Sequence, residues 1–137
     1  MPKPTDIRIL GTSVYFLPVR TRVPLKFGSE TLVSVTCVRV CVRVQDRGGR
    51  TAEGWGETPL SVQWAWPGTT PLEHSNRVLK DFCVQLAGEW AMFDTFGHPM
   101  EIGFDFCEQV LPAALDKIDR DQGRSEKIPW LAALICW

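Results

Sequence analysis

The sequence predicts an α+β fold in which a three-stranded antiparallel β-meander precedes a cluster of helices. Apolar and polar residues alternate along the first half of the chain, and a Gly-Gly pair separates two of the alternating segments. In the second half, apolar residues recur at helical spacing instead. With 137 residues, of which 45% are hydrophobic and 23% charged, the composition is that of one globular domain.

The first two strands are predicted over residues 7–17 and 32–45, and a polar loop containing proline and glycine joins them over residues 20–30. Alternation in the first strand places two sets of apolar residues on opposite sides of the strand. One set is Ile7, Ile9, Tyr15 and Leu17, and the other is Leu10, Val14 and Phe16. The second strand has a valine face and a mixed face, made respectively of Val38, Val40, Val42 and Val44 and of Cys37, Arg39, Cys41 and Arg43. We expect the valine face to be core and the mixed face to be partly solvated.

A tight turn and a third strand complete the predicted meander, which spans residues 5–57. The turn is Asp46–Gly49, because Gly-Gly supplies the positive φ angles that hairpins need. The third strand covers residues 51–56. A second long loop, residues 57–70, then contains Trp64 and Trp66. Two tryptophans are unusual in an irregular loop, which indicates that they cover a surface.

Helices are predicted over residues 70–120. Thr70-Pro-Leu-Glu73 has the pattern of a capping box with proline at the first helical position, and an apolar stripe follows as far as Trp90. A second helical segment covers residues 100–119, and Pro112 is expected to kink or divide it. Residues 128–137 form an apolar helical start without a stop signal. This ending predicts either a continuation of the chain or burial against a partner.

Charge and cysteine content exclude several classes of protein. With 15 Lys and Arg against 16 Asp and Glu, nothing indicates a nucleic-acid surface, and no uncharged apolar run reaches the roughly 18 residues of a membrane helix. The five cysteines contain no C-x-x-C pair. Cys37 and Cys41 share one strand face about 13 Å apart, too far for a mutual disulfide. Reduced thiols and the absence of a signal peptide predict a cytoplasmic protein.

Candidate catalytic groups are scarce. The sequence has no G-x-S-x-G, P-loop, H-E-x-x-H or G-x-G-x-x-G motif. Its two histidines, His74 and His98, are expected to be surface or capping residues. Glu57 follows Gly-Trp-Gly at a strand end, and it is either a functional carboxylate or a cap for nearby backbone amides. No metal site and no cofactor are predicted within this chain.

The order of these motifs resembles one enzyme family. A first strand, Arg22-Val-Pro-Leu-Lys-Phe-Gly28, a valine-rich strand, a glycine turn and Gly54-Trp-Gly-Glu-Thr-Pro59 follow one another along the chain. This series is similar to the N-terminal capping domain of the mandelate racemase/muconate-lactonising enzyme family, within the enolase superfamily. The resemblance covers nearly the whole chain and is strongest over residues 7–60. Each motif is weak by itself, so their order and spacing carry the resemblance.

The resemblance implies that the meander and the helices close over the mouth of a (β/α)₈ barrel. Two loops, about residues 20–31 and 57–70 here, would exclude water and select the substrate. The candidates for these contacts are Arg20, Arg22, Lys26, Phe27, Glu57, Trp64 and Trp66. The basic residues would meet a distal anionic group of the substrate, and the two tryptophans would form an apolar wall. The alternative is that the tryptophans pack on the helices.

The resemblance also implies that the catalytic groups lie outside this chain. Such enzymes remove a proton α to a carboxylate with a Lys or His base, while Mg²⁺ stabilises the enediolate. These groups lie at the C-terminal ends of barrel strands, and a whole barrel needs about 200 residues or more. We therefore expect residues 1–125 to be the capping domain and residues 126–137 to begin an absent barrel. No catalytic or metal-binding residue is assigned here, and Mg²⁺ is implied only for a complete family member.

Three functional hypotheses follow. The chain is a stand-alone or truncated capping domain that is inactive by itself, or it is half of an enzyme completed by a separately encoded barrel. The completed enzyme would be a racemase, an acid-sugar dehydratase or a cycloisomerase. The third hypothesis is an interaction module whose apolar face binds a second copy. The expected partners are accordingly a second copy or a barrel in trans, with a carboxylate or acid-sugar ligand only in the completed enzyme.

Overall fold

The predicted α+β class is confirmed by the computed structural model, in which an antiparallel sheet of order β1-β2-β3 is followed by helices. The structure describes residues 1–27, 30–123 and 126–137, with Phe27 described in its backbone only. Its elements are β1 (Ile7–Phe27), β2 (Glu30–Asp46), β3 (Thr51–Pro59), α1 (Val62–Ala65), α2 (Leu72–Met92), α3 (Pro99–Gln109), α4 (Leu111–Asp121) and α5 (Trp130–Cys136).

A β-bulge in β1 corrects the predicted side-chain pattern of that strand. Ile9 pairs with Val44 whereas Gly11 pairs with Arg43, so Leu10 is an extra residue without a partner in β2. Such an insertion reverses the alternation. Ile7 and Ile9 therefore lie on the same face of the sheet as Val14 and Phe16, not with Tyr15 and Leu17 as predicted.

The predicted loop of residues 20–30 is wrong for every residue that the structure describes there. β1 continues to Phe27 and pairs again with β2 through Leu25–Leu32, Lys26–Thr31 and Phe27–Glu30, after an irregularity beyond Arg20. Pro24 lies inside that irregularity, where no ladder hydrogen bond is lost. The third strand is likewise longer than predicted and continues to Pro59. Strands β1 and β2 thus form one long hairpin.

The turn between β2 and β3 is confirmed. Gly49 has a φ of 83°, which only glycine adopts without strain. The Asp46 carboxylate accepts hydrogen bonds from the backbone N–H of Arg50 at 2.9 Å and from its guanidinium Nε at 2.7 Å. The contact with the Arg50 side chain holds the pKa of Asp46 below its ordinary value. This turn sets the register of the last two strands.

Helix α2 supplies the main contact between the helices and the sheet. Its buried stripe packs on the sheet, chiefly over β1, through Val78, Leu79, Phe82 and Leu86. The hydroxyl of Thr12 in β1 also donates to the carbonyl of Ala87 at 2.7 Å, which fixes the height of the helix on the sheet. Beyond the stripe, the Trp90 ring stacks on Phe106 of α3 with centroids 3.8 Å apart.

The helix starts differ in how well the sequence predicted them. The capping box at Thr70 is wrong, because Pro71 is the N-cap of α2 and the Thr70 hydroxyl donates to the Glu126 carboxylate instead. The capping role of His98 is confirmed: its Nδ1 accepts from the Met100 N–H at 3.2 Å, and Glu101 accepts from the His98 N–H at 3.2 Å. The side chains of His98 and Glu101 therefore each accept from a backbone N–H that has no partner within the helix.

The predicted division at Pro112 is also confirmed. Helix α3 ends at Gln109 and α4 begins at Leu111, with the proline in the first turn, where its missing N–H costs no hydrogen bond. The last segment forms α5, which buries Ala132 and Ala133 against α1 and α2. Within the described residues, no helix is long and apolar enough to cross a membrane.

All five cysteines are free thiols, three of them buried. Burial is the main cause that raises the pKa of Cys37 and of Cys41. For Cys136, a hydrogen bond with Cys83 is the larger cause of a raised pKa, and burial adds to it. Each of these three thiols is therefore held in its neutral form.

We expect Phe106→Ala to lower the free energy of unfolding by about 3–5 kcal/mol, because it removes a fully buried ring and its stack on Trp90. Phe104→Ala is the matched control on the same helix, since the Phe104 side chain is 65% exposed, and it should change stability by about 0.5 kcal/mol or less. Urea denaturation followed by circular dichroism measures both. Equal losses in the two variants would contradict the described core.

Candidate functional site

A cleft of about 320 Å³ lies where the base of the β1–β2 hairpin meets α1 and the first turns of α2. Of the two predicted substrate loops, the second, residues 57–70, contributes to the cleft, whereas no described residue of the first, 20–31, lines it. The hairpin contributes Pro18 and residues 34–36, the segment after β3 contributes Leu60, Val62 and Gln63, and α2 contributes Leu72, Glu73 and Asn76.

The segment after β3 is held in place by backbone hydrogen bonds. Leu60 donates to the carbonyl of Thr36 at 2.8 Å and thereby returns the chain to β2 after β3 ends. The carbonyl of Ser61 then accepts from Ala65 at 2.9 Å and starts the single turn of α1. Burial of Leu60 and Val62 anchors this turn, so the cleft wall is part of the packed structure.

Polar groups of two elements meet in the cleft wall. The side-chain amide of Asn76 in α2 donates to the hydroxyl of Thr36 in β2 at 3.2 Å. The Asn76 Oδ1 and the Ser75 hydroxyl are buried and have no hydrogen-bond partner among the described residues. The cleft therefore combines apolar side chains with the polar groups of Thr36 and Asn76 and the carboxylate of Glu73, which suits recognition of a polar organic molecule.

The three predicted basic residues lie on the hairpin and do not form one cluster. Arg20 pairs with Ser34, a residue of the cleft, whereas Lys26 pairs with Thr31 far along the hairpin. Six strand residues separate these two positions by about 20 Å. Arg20, Arg22 and Lys26 are exposed and form no ion pair with the residues that the structure describes. The predicted contact of Phe27 concerns a side chain outside the described part of the chain.

The structure separates the two tryptophans of the second loop. Trp66 is 2% exposed and belongs to the core, where its indole Nε1 donates to Glu126 at 3.3 Å. Trp64 is 59% exposed and follows Gln63 of the cleft wall on the same helical turn. The predicted alternative, in which the tryptophans pack on the helices, therefore applies to Trp66. Trp64 is the tryptophan that a ligand can reach from solvent.

Glu57 lies outside the cleft. It is part of β3 and pairs with Arg39, whose guanidinium donates to the Glu57 carboxylate at 2.6 Å on the sheet face away from the helices. On the same face, the rings of Tyr15 and Trp55 stack with centroids 6.0 Å apart. The partner of Glu57 in these hydrogen bonds is therefore Arg39, and it is neither a backbone amide nor a residue of the cleft.

Sequence reasoning missed Thr36 and Asn76, which are 40 residues apart in the chain. Thr36 continues a strand pattern and Asn76 occupies a polar helix position, so neither residue stands out in the sequence. Their proximity depends on how α2 packs on the sheet. Among the described residues, no three His, Cys, Asp or Glu side chains converge as metal ligands would.

We expect Thr36→Val and Asn76→Ala to be energetically coupled. Each change removes one partner of the same hydrogen bond, so each should cost about 1 kcal/mol, and the double variant should cost about 0.5–1.5 kcal/mol less than the sum. Urea denaturation of the four proteins of this cycle gives the coupling energy. Thr69→Val, at an exposed threonine in the segment before α2, is the control that should leave the Asn76→Ala effect unchanged. Strict additivity of Thr36→Val and Asn76→Ala would show that the two side chains do not interact.

Comparisons with known proteins give one weak structural likeness. No protein-family model and no curated protein matches the sequence. Among solved structures, the chain is similar to the substrate-liganded complex of the L-Ala-D/L-Glu epimerase from Bacillus subtilis, with a TM-score of 0.34 and 19% identity. The match covers 63% of this chain, and this chain spans 30% of the epimerase chain. At this TM-score the likeness carries no argument about function.

Proposed function

We propose that this chain is the capping domain, or lid, of an enzyme similar to mandelate racemase and muconate-lactonising enzyme, and that it is inactive by itself. The observation that carries the proposal is the cleft, in which the base of the β1–β2 hairpin and the segment after β3 meet. The family resemblance assigns substrate selection to residues 57–70, which contribute to the cleft, and to residues 20–31, which begin at Arg20, the strand partner of the cleft residue Ser34. The motif order along residues 7–60 and the meander-then-helices architecture support the same proposal.

The described side chains fit the task of a lid over a negatively charged ligand. Arg20 at the cleft edge and Arg22 beyond it carry exposed guanidinium groups without ion-pair partners among the described residues, and such groups bind carboxylates with paired hydrogen bonds. Trp64 offers an exposed indole beside the cleft wall. A lid of this kind excludes water and orients the ligand.

The chemical step belongs to the barrel in this proposal. A complete enzyme would abstract a proton α to a carboxylate, and Mg²⁺ in the barrel would stabilise the charge that develops on the carboxylate oxygens. The lid residues would supply binding and water exclusion. The substrate would be a carboxylic acid, such as an acid sugar or a cycloisomerase substrate.

We expect the purified 137-residue chain, with Mg²⁺, to exchange no α-proton of any aldonic or aldaric acid in a test panel. Proton NMR in deuterated solvent detects loss of the α-proton signal. The same assay on a longer protein, made from the genomic reading frame past the Trp137 codon, should show exchange. In that longer protein, Arg20→Ala should raise KM more than it lowers kcat, because a lid contact acts on binding.

Two results would count against the lid proposal. Exchange catalysed by the 137-residue chain alone would mean that the catalytic groups are within it. A genomic region without any barrel sequence would remove the enzyme that the lid serves. If the barrel is encoded as a separate protein, exchange should appear only when the two chains are mixed, which is the half-enzyme alternative.

A second function, self-association, is favoured by the sheet face that none of the described helices covers. Tyr15 and Trp55 stack there and are 51% and 59% exposed, and Val19 on the same hairpin is exposed as well. Exposed aromatic side chains of this kind are typical of protein interfaces. We therefore propose that the chain binds a second copy through this face.

Trp55→Glu should convert a dimer of the chain into a monomer, because it places a charge in the centre of the proposed interface. Light scattering coupled to size-exclusion chromatography measures the mass. Trp64→Glu is the matched control, since Trp64 is equally exposed but lies beside the cleft. A wild-type chain that stays monomeric at high concentration would exclude this second function.

A further inference from the structure

A second cavity of about 320 Å³ lies between the sheet and the helices, at the opposite end of α2 from the cleft. The sheet contributes Ile7, Ile9 and the valines of β2, and the helical side contributes Leu86, Trp90 and Ile102. The proposed lid role does not use this cavity. The lining consists of apolar side chains, glycine backbone and the two thiols of Cys83 and Cys136.

Small residues of both layers line the cavity. Gly56 of β3 lines it without a side chain, and a Cβ built on that residue would meet no atom within 4 Å. Ala87 faces it from α2. The bulge at Leu10 turns Ile7 and Ile9 into the same space, so it is surrounded on several sides by branched aliphatic groups.

The lining selects for an uncharged ligand. Among the described residues, the side chains that line the cavity include no carboxylate, ammonium or guanidinium group, and the pKa of Cys136 is raised, so its thiol is neutral. A charged or strongly polar molecule would lose its hydration there without gaining hydrogen bonds. Apolar cavities of smaller volume bind benzene in other proteins, and pockets of this volume accept small organic ligands.

We propose that this cavity is a binding site for a small uncharged aromatic molecule of one or two rings. Trp90 and Trp137 both line the cavity, and aromatic rings gain additional attraction from such neighbours. A rigid ring system also loses less conformational entropy on binding than a flexible acyl chain of equal volume. The site is independent of the cleft, since the residues of the two linings do not overlap.

Toluene is a suitable probe, and methyl NMR of the 137-residue chain is a direct readout. We expect saturable chemical-shift changes at the methyl groups of Ile9, Val42 and Ile102, which line the cavity. The methyl groups of Leu60 and Val62, in the wall of the cleft, should not shift. The melting temperature should rise with toluene concentration, because a ligand that binds only the folded state stabilises it.

Gly56→Leu tests the location, since its side chain would occupy the cavity. We expect it to weaken toluene binding at least about tenfold, which corresponds to 1.4 kcal/mol. Gly54→Leu is the matched control on the same strand and face: its Cβ also meets no atom within 4 Å, but Gly54 does not line the cavity. This control should bind toluene as the wild type does.

The outcomes decide the proposal even if Gly56→Leu fails to fold, because the wild-type methyl shifts locate the ligand by themselves. Saturable shifts confined to the lining residues support the site. Shifts that rise linearly to the solubility limit of toluene, or equal shifts in the cleft, would overturn it. Unchanged binding in a folded Gly56→Leu variant would overturn it as well. None of these results depends on whether a barrel exists, so they are separate from the test of the lid.

Discussion

The packing of α2 on the valine face of the sheet is the contact on which the other elements depend. Phe82 and Leu86 are buried between the sheet and the remaining helices, and α1, α4 and α5 each contact α2. Helix α3 joins the same core through the stack of Phe106 on Trp90. The sheet alone has only three strands, which is close to the minimum for stability without a covering layer. Both cavities lie along α2, so its position also determines their shapes.

The sequence was a good guide wherever a local pattern matched the packing. The valine face of β2, the Gly49 turn, the division of the helices at Pro112 and the cap at His98 each depend on residues close together in the chain. It was a poor guide where one residue changed the register. The extra residue at Leu10 reverses the sides of β1, and periodicity alone does not reveal an insertion in a strand.

Part of the candidate site was predictable from the sequence. The motif order singled out residues 57–70, of which Leu60, Val62 and Gln63 line the cleft, whereas the other predicted loop, residues 20–31, contributes no lining residue from its described part. The bond between Thr36 and Asn76 was not visible, because it joins a strand to a helix 40 residues away. The sequence also did not distinguish Trp64 from Trp66. Both lie at one short helical turn, but Trp66 is buried in the core whereas Trp64 is exposed.

The strand order has a consequence for how the chain folds during synthesis. Each strand pairs with the one made just before it, so every strand of the meander has its partner when Pro59 has been added. Contacts between sequence neighbours close quickly, because little chain entropy is lost. Helix α2 then covers the sheet as it is translated. A domain with this topology assembles from its N-terminus, while a protein partner or a later domain is still being made.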